Sequence, residues 1–522
     1  MLASALTSVA CRSEPEPRSS AEPDPAALVV ATDRGRVRGT TDGGAQAFRG
    51  IPYAAAPTGE RRFRAPEPPA AWDGIRDATA FGNKCPQRGV LDILVGDEDC
   101  LNLNVWRPST PASDPRPVLV FIHGGANVVG SGSDPLHSGR RLAHDHELIV
   151  VTFNYRLGLL GFLAHPRLTA ESGTSGNWAY LDQIAALQWV ARNIAAFGGD
   201  PKRVTIVGES AGALGVCVLL TSPLAAGLFT AAIMQSGGCD VAPLTRREQD
   251  GERLANISGC ARAPDMLECL RGISVTHLLA LTPAPAEISS WALPTGGAVD
   301  GVVLPTSPWQ AFAAGTHAVV PTLVGSNADE TELFAPKTID SCSAYQLAIQ
   351  KSFGVSSEDV LAEYPCADYP NPRQAYVAAT TDAIFDCQAR RILRSLAPAA
   401  RESGTPLFRY LYAYTRADPA VRELRAFHGG EIQLLFGTMP RIGYKLPDAE
   451  KTLSQIIQTS WAAIARSGSP IHAATPGWTA YDPVRDNGLI FDSPVATRDP
   501  IGSSHCDFWD ARAAATAQSG NR

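Results

Sequence analysis

The run Arg203-Val204-Thr205-Ile206-Val207-Gly208 passes directly into Glu209-Ser210-Ala211-Gly212 and then into a long uncharged segment. Few folds accommodate that order. A short β-branched run ending at glycine reads as a buried strand, and the small-residue segment after it as a buried helix. Gly208-Glu209-Ser210-Ala211-Gly212 matches G-x-S-x-G, the pattern of a sharp strand-to-helix turn that holds a serine above the edge of a sheet. Small residues two places either side of the serine let strand and helix approach each other. Ser210 is therefore the candidate nucleophile. A glycine-flanked surface loop, the plainer reading, leaves the strand before it and the helix after it unexplained.

Other segments repeat the alternation of strand and helix. Residues 117–125, 148–156, 231–238, 320–327 and 408–415 read as strands, and 180–198 has helical spacing and stops at Gly198-Gly199. Such alternation argues for a central, mostly parallel sheet flanked by helices, an α/β architecture. The segments 245–300 and 335–405 are helical and loop-rich, and read as insertions over the sheet. From Ala211 to Cys239 no residue is charged, a length able to span a bilayer. Thr221-Ser222-Pro223 divides it, so it reads as a buried helix, then a second helix and a core strand.

A serine hydroxyl needs a base, and the base needs a carboxylate to hold its tautomer. In a strand-turn-helix site of this kind the chain order is Ser, acid, His. Five histidines follow Ser210, namely His277, His317, His428, His472 and His505, and only His428 sits in a Gly-rich loop before a helical segment. The acid should end a strand between Ser210 and His428, where Asp329, Glu330 and Glu332 all stand. Spacing alone does not choose among them. An oxyanion needs backbone N–H donors, one from Ala211 and others from the turn His123-Gly124-Gly125-Ala126. His123 precedes the serine and reads as structural.

The net charge of -7 and the lack of a Lys/Arg-rich run argue against nucleic acid as a partner. Eleven cysteines, none in a C-x-x-C pair and none with zinc-ligand spacing, point to an oxidising compartment. No metal or organic cofactor is implied. Residues 1–11 are apolar, and Val9-Ala10-Cys11 is similar to the end of a lipoprotein signal, which makes Cys11 a candidate lipid anchor. Residues 12–26 are rich in Pro, Ser and acid and read as a linker. The expected organisation is one catalytic domain over 27–512 and a flexible tail over 513–522, in a protein that is periplasmic, surface-bound as a lipoprotein, or secreted. Nothing in the sequence sets an oligomeric state.

The segments 48–69, 98–106, 154–163, 181–201, 300–305 and 427–437, with the HGG turn, the GESAG motif and the Asn327-Ala328-Asp329-Glu330 loop, resemble the type-B carboxylesterase family in order and nearly end to end. That resemblance implies an α/β-hydrolase fold and hydrolysis of short- to medium-chain carboxylic esters through an acyl-enzyme on Ser210. It implies Glu330 as the acid, His428 as the base, and Gly125, Ala126 and Ala211 as oxyanion donors. It implies ion pairs of Arg62 with Glu98 and Arg156 with Asp182, and disulfides Cys85–Cys100, Cys260–Cys269 and Cys387–Cys506. Cys342–Cys366 would be a local extra pair, leaving Cys217 and Cys239 as buried thiols. Two departures stand out. Ala126 replaces a glycine common in the oxyanion turn, which is harmless if the turn needs no positive φ there. Asn127 stands where an aromatic residue is common. The loop from Cys85 to Cys100 also lacks a choline-binding tryptophan, so acetylcholine is not the expected substrate. A lipase would use the same triad under an apolar lid. Non-catalytic relatives usually lose a triad member, and all three residues are present here.

Overall fold

The computed structural model describes residues 28–89, 93–281, 296–438 and 445–519. Cys11 and the segments 1–11 and 12–26 lie outside the described residues.

The main sheet has eleven strands among the described residues. In chain order they are β1 (Thr40–Asp42), β2 (Ala45–Pro52), β3 (Asn102–Pro108), β4 (Arg116–Ile122), β5 (Ile149–Phe153), β6 (Gly199–Glu209), β7 (Ala231–Gln235), β8 (Thr322–Asn327), β9 (Leu407–Tyr412), β10 (Gly488–Phe491) and β11 (Ala496–Arg498). Their spatial order is β11-β10-β9-β8-β7-β6-β4-β5-β3-β2-β1. From β5 to β10 every pairing is parallel. The outer pairings β5–β3, β3–β2, β2–β1 and β10–β11 are antiparallel. The sheet is thus mixed at its edges and parallel at its centre.

The central strands read as unbroken apolar runs because both of their faces are covered. Along β4, Val118, Val120 and Ile122 join one core while Leu119 and Phe121 join the other. The first core takes in the helices α1 (Trp178–Asn193) and α2 (Ala211–Thr221), through Ile184, Leu187, Val216 and Leu220. Two insertions carry cores of their own. In one, α3 (Leu244–Ile257) packs Leu254 with Phe63, Leu160 and Trp178. In the other, α4 (Cys342–Phe353) and α5 (Pro372–Thr381) pack Tyr345 and Ile349 with Ala375 and Val377. Then α6 (Cys387–Ser403) returns to the first core with Ile392, Leu393 and Leu396, three residues spaced to share one helical face. The opposite face of the sheet is covered by α7 (Ile432–Phe436) and α8 (Asp448–Ser467), through Leu435, Phe436, Ile457 and Trp461. Each such buried side chain contributes about 1.5–3 kcal/mol.

Several sequence expectations are sharpened. The second helix expected between Ala211 and Cys239 is a single 3₁₀ turn, Pro223–Ala225, before β7. The segment expected as a tail, 513–522, overlaps α9 (Cys506–Ser519). Cys85–Cys100, Cys260–Cys269, Cys342–Cys366 and Cys387–Cys506 are disulfide-bonded. So are Cys217 and Cys239, with Cα atoms 5.7 Å apart, which corrects their expected state as free thiols. Cys217 is in α2 and Cys239 lies just past β7, two adjacent elements whose contact a linear reading of the chain does not reveal. No helix among the described residues is long and apolar enough to cross a membrane.

Candidate active site

Ser210 caps α2 with φ 57° and ψ -122°, a backbone state that costs a non-glycine residue about 1–3 kcal/mol. Its neighbours explain why the turn tolerates so little bulk. A Cβ on Gly208 would run into the Gly212 carbonyl, and one on Gly212 into the Ile122 carbonyl at the end of β4. The glycines two places either side of Ser210 are therefore a packing requirement. Ala211 begins α2, so its N–H belongs to the first turn, where no intrahelical acceptor exists.

The turn Gly124-Gly125-Ala126, expected to supply oxyanion donors, lies against this elbow. A Cβ on Gly124 would sit 2.6 Å from Glu209 Oε2 and 3.0 Å from Ser210 Cβ. Gly125, Ala126 and Asn127 have φ of 106°, 54° and 61°. The turn does need positive φ at Ala126, so the alanine there carries backbone strain that glycine would not. Gln87 holds the far end of the turn, accepting from Gly130 N at 2.8 Å and donating to Gly130 O at 2.9 Å. His123 stacks on Tyr155 with ring centroids 4.4 Å apart, and burial pushes its pKa down to about 3. It is a neutral ring that braces the turn.

The three candidate acids have three different surroundings. Glu330 is fully buried, and its Oε2 lies 2.7 Å from His428 Nδ1 while its Oε1 accepts from Asn327 N at 2.7 Å. Asp329 turns away to Arg425 at 3.2 Å. Glu332 pairs with Arg373 at the start of α5. Only Glu330 reaches the imidazole.

His428 is largely covered, its ring lying between Phe385 and Phe334 with centroids 4.8 and 5.4 Å from its own. Its Nε2 lies 3.2 Å from Glu209 Oε1. Ser210 Oγ has no hydrogen-bond partner among the described residues, so the structure brings Glu330 and His428 together but aims the imidazole at the residue before the serine. Burial opposes protonation of His428, yet the carboxylates of Glu209 and Glu330 override it and raise the ring to about 9. Glu209 is itself pushed up to about 8, by burial first and then by Glu431 and Glu330, against the pull of His428. Glu209 and His428 titrate as a pair, so a proton taken by Glu209 removes much of the lift on the ring.

Sequence reasoning passed over Glu209 and Glu431. Glu209 is the unspecified second position of the G-x-S-x-G motif. Glu431 is buried, accepts from Asn327 at 2.6 Å and from Gln235 at 2.9 Å, and has its pKa raised, chiefly by burial. A glutamate flanked by apolar residues, as in Gly430-Glu431-Ile432, is the one signal that could have found it.

Residues 26–509 match the model of the Carboxylesterase family. The chain belongs to that family. The carboxylesterase is 37% identical to the para-nitrobenzyl esterase of Bacillus subtilis (strain 168), over 90% of this chain and 95% of that one. It is 36% identical to the fumonisin B1 esterase of Sphingopyxis macrogoltabida, over 93% of this chain and 90% of that one. A solved structure of PNB esterase superposes with TM-score 0.77 at 35% identity, covering 91% of this chain and 98% of that one. These likenesses make the fold an α/β-hydrolase and the reaction carboxylic ester hydrolysis. The two ion pairs implied by the resemblance are present, the first partly and the second fully buried. Arg62 meets Glu98 at 2.8 and 2.5 Å, and Arg156 meets Asp182 at 2.8 and 2.7 Å.

Proposed function

We propose that Ser210 attacks the ester carbonyl while His428 takes its proton and Glu330 steadies the resulting imidazolium. The observation that carries this reading is the buried Glu330–His428 pair set against the strained Ser210 elbow. The imidazole edge leaves Glu209 for Ser210 Oγ, one residue on along the chain. Catalytic hydrogen bonds of this kind often tighten only once substrate is bound. The N–H groups of Gly125, Ala126 and Ala211 receive the oxyanion, each such donor typically worth about 10²–10³ in rate. The alcohol leaves with the proton held by His428. Water then attacks the acyl-enzyme, with the same imidazole as base.

The substrates are short- to medium-chain esters, with Phe334 and Phe385 offering apolar surface beside the reacting centre. A lipase is the second reading. It is favoured by the exposed Ile93, Leu94 and Val95 in the loop from Cys85 to Cys100. Five disulfides fit an oxidising compartment, and we place the protein outside the cytoplasm, with Cys11 as the anchor if it is a lipoprotein. The test is hydrolysis of p-nitrophenyl esters from acetate to palmitate by the wild-type chain and by Ser210→Ala. Fast cleavage of short and medium chains, lost in the variant, is expected. A palmitate optimum would make the enzyme a lipase, and an active Ser210→Ala would overturn the mechanism.

A further inference from the structure

The two sources of oxyanion donors, the turn at Gly125-Ala126 and the start of α2, are backed by one helix. From α1, Tyr180 is presented towards the turn and Gln183 towards α2. Both are fully buried, as is Asn127, the residue after Ala126. The Asn127 side chain and the Gly297 backbone face the Tyr180 hydroxyl. Neither contact closes into a hydrogen bond of normal geometry, and both amide atoms of Asn127 are left without a partner among the described residues. The Gln183 amide presses on α2 one turn beyond Ala211. A Cβ on Gly215 would lie 2.6 Å from its Oε1 and 3.1 Å from its Nε2. Both Gln183 amide atoms lack a partner among the described residues as well.

Buried polar atoms left unpaired are costly, because they lose their hydration and gain nothing in its place. Native interiors avoid that cost by bridging such groups through buried water, which typically makes about three hydrogen bonds. Hydrophobic side chains at these positions would pack α1 against the turn with no such cost. The polar choice is clustered, and it falls behind both halves of the oxyanion hole.

We propose that Asn127, Tyr180 and Gln183 are positioning residues for the oxyanion hole. Through buried water they tie the turn that carries Gly125 and Ala126, and the helix that carries Ala211, to the common support of α1. This rests on the serine-esterase reading above. The three residues act on where the N–H donors point and touch no substrate atom.

The variants are Tyr180→Phe, Asn127→Gly and their combination, with Gln183→Met as a separate handle on the α2 side. Glycine suits the φ of 61° at Asn127, so that change removes the amide without straining the turn. Active sites are first counted by stoichiometric p-nitrophenol release from a p-nitrophenyl phosphonate. Then kcat and KM for p-nitrophenyl butyrate, the inhibition constant of an aryl trifluoromethyl ketone, and Tm are measured. Each single variant is expected to lose about tenfold in kcat with KM within about twofold, and to bind the ketone about tenfold more weakly, because the loss falls on the tetrahedral state. The double variant should be no worse than its weaker parent, as expected of one network. Variants that lose Tm but keep kcat per titrated site and ketone affinity would overturn this inference alone. A wild-type chain that takes up no phosphonate would overturn the esterase reading and this inference with it.

Discussion

At the scale of single residues, the site is governed by where one proton sits. In the proposed mechanism His428 has to be neutral to accept the serine proton, and Glu209 at 3.2 Å favours the charged ring. The sign follows from charge. A carboxylate at Glu209 raises the His428 pKa, so the active, neutral ring appears only as pH rises through that raised value. Replacing Glu209 by glutamine removes the attraction and lowers the His428 pKa. In Glu209→Gln the acid limb of the kcat/KM profile should therefore move to lower pH, by about one unit or more. A profile that does not move would mean that Glu209 is already neutral whenever the enzyme is active. Ala126 shows the opposite kind of residue. Its φ of 54° is one that glycine holds more cheaply.

At the scale of elements, the helix α2 that follows Ser210 is held at several points. Gly212 touches the end of β4, and Cys217 bonds to Cys239 just beyond β7. Between Gln235 and Cys239 the chain passes under the elbow, where a Cβ on Gly237 would lie 3.0 Å from Ser210 O. The disulfide closes a loop of 22 residues. Loops of that size are stabilised by about 3 kcal/mol through the entropy of the unfolded chain. The double variant Cys217→Ala/Cys239→Ala should lower Tm by several degrees while retaining most kcat at 25 °C. An equal loss of kcat at 25 °C would show that the bond shapes the elbow as well as stabilising it. Glu330 is held by the roof above it. Thr331, next to Glu330, bonds Thr380 of α5 at 2.6 Å and the Val377 carbonyl at 3.1 Å. The insertion that looked like a cover over the sheet therefore also fixes the turn that aims the carboxylate.

At the scale of the whole molecule, the end of the chain returns to the site from behind. Between α5 and α6 the backbone forms a π-helical turn, Asp382–Asp386, which carries Phe385 against His428. Its two acids hold the C-terminal segment. Asp382 accepts from Ser503 at 2.6 Å and from Tyr364 at 2.8 Å, and Asp386 accepts from Ser503 N at 2.8 Å and from Arg409 at 2.7 Å. Burial first, and then Asp386, raise the Asp382 pKa to about 7. A carboxyl raised on folding stabilises the native state most when it is protonated in both states. That contribution is present below the unfolded value near 4 and is lost as pH rises through about 7. Asp382→Asn should flatten this dependence, so that its Tm falls less between pH 5 and pH 8 than that of the wild type. An unchanged slope in thermal melts at the two pH values would place the dependence on other groups.

Local chemistry determined much of this protein. The strand, the Ser210 turn and α2 follow from β-branched and small residues in sequence, because only Gly208 and Gly212 permit that approach. The central parallel strands were visible because both their faces are buried and their side chains are apolar throughout. Strands β1, β2, β3 and β11 were not singled out, since their outer pairings are antiparallel and their sequences mix polar with apolar residues, and β10 was passed over because its apolar run is only four residues long. Among Asp329, Glu330 and Glu332, spacing had no preference, and the choice of Glu330 came only by resemblance to a family. Tertiary structure makes the distinction physically, by sending one carboxylate to Arg425, one to Arg373 and one to His428. It alone bonds Cys217 to Cys239, requires positive φ at Ala126, and sets Glu209 against the base. Each of these depends on two segments distant in sequence meeting within a few ångströms, and a linear pattern carries no such information.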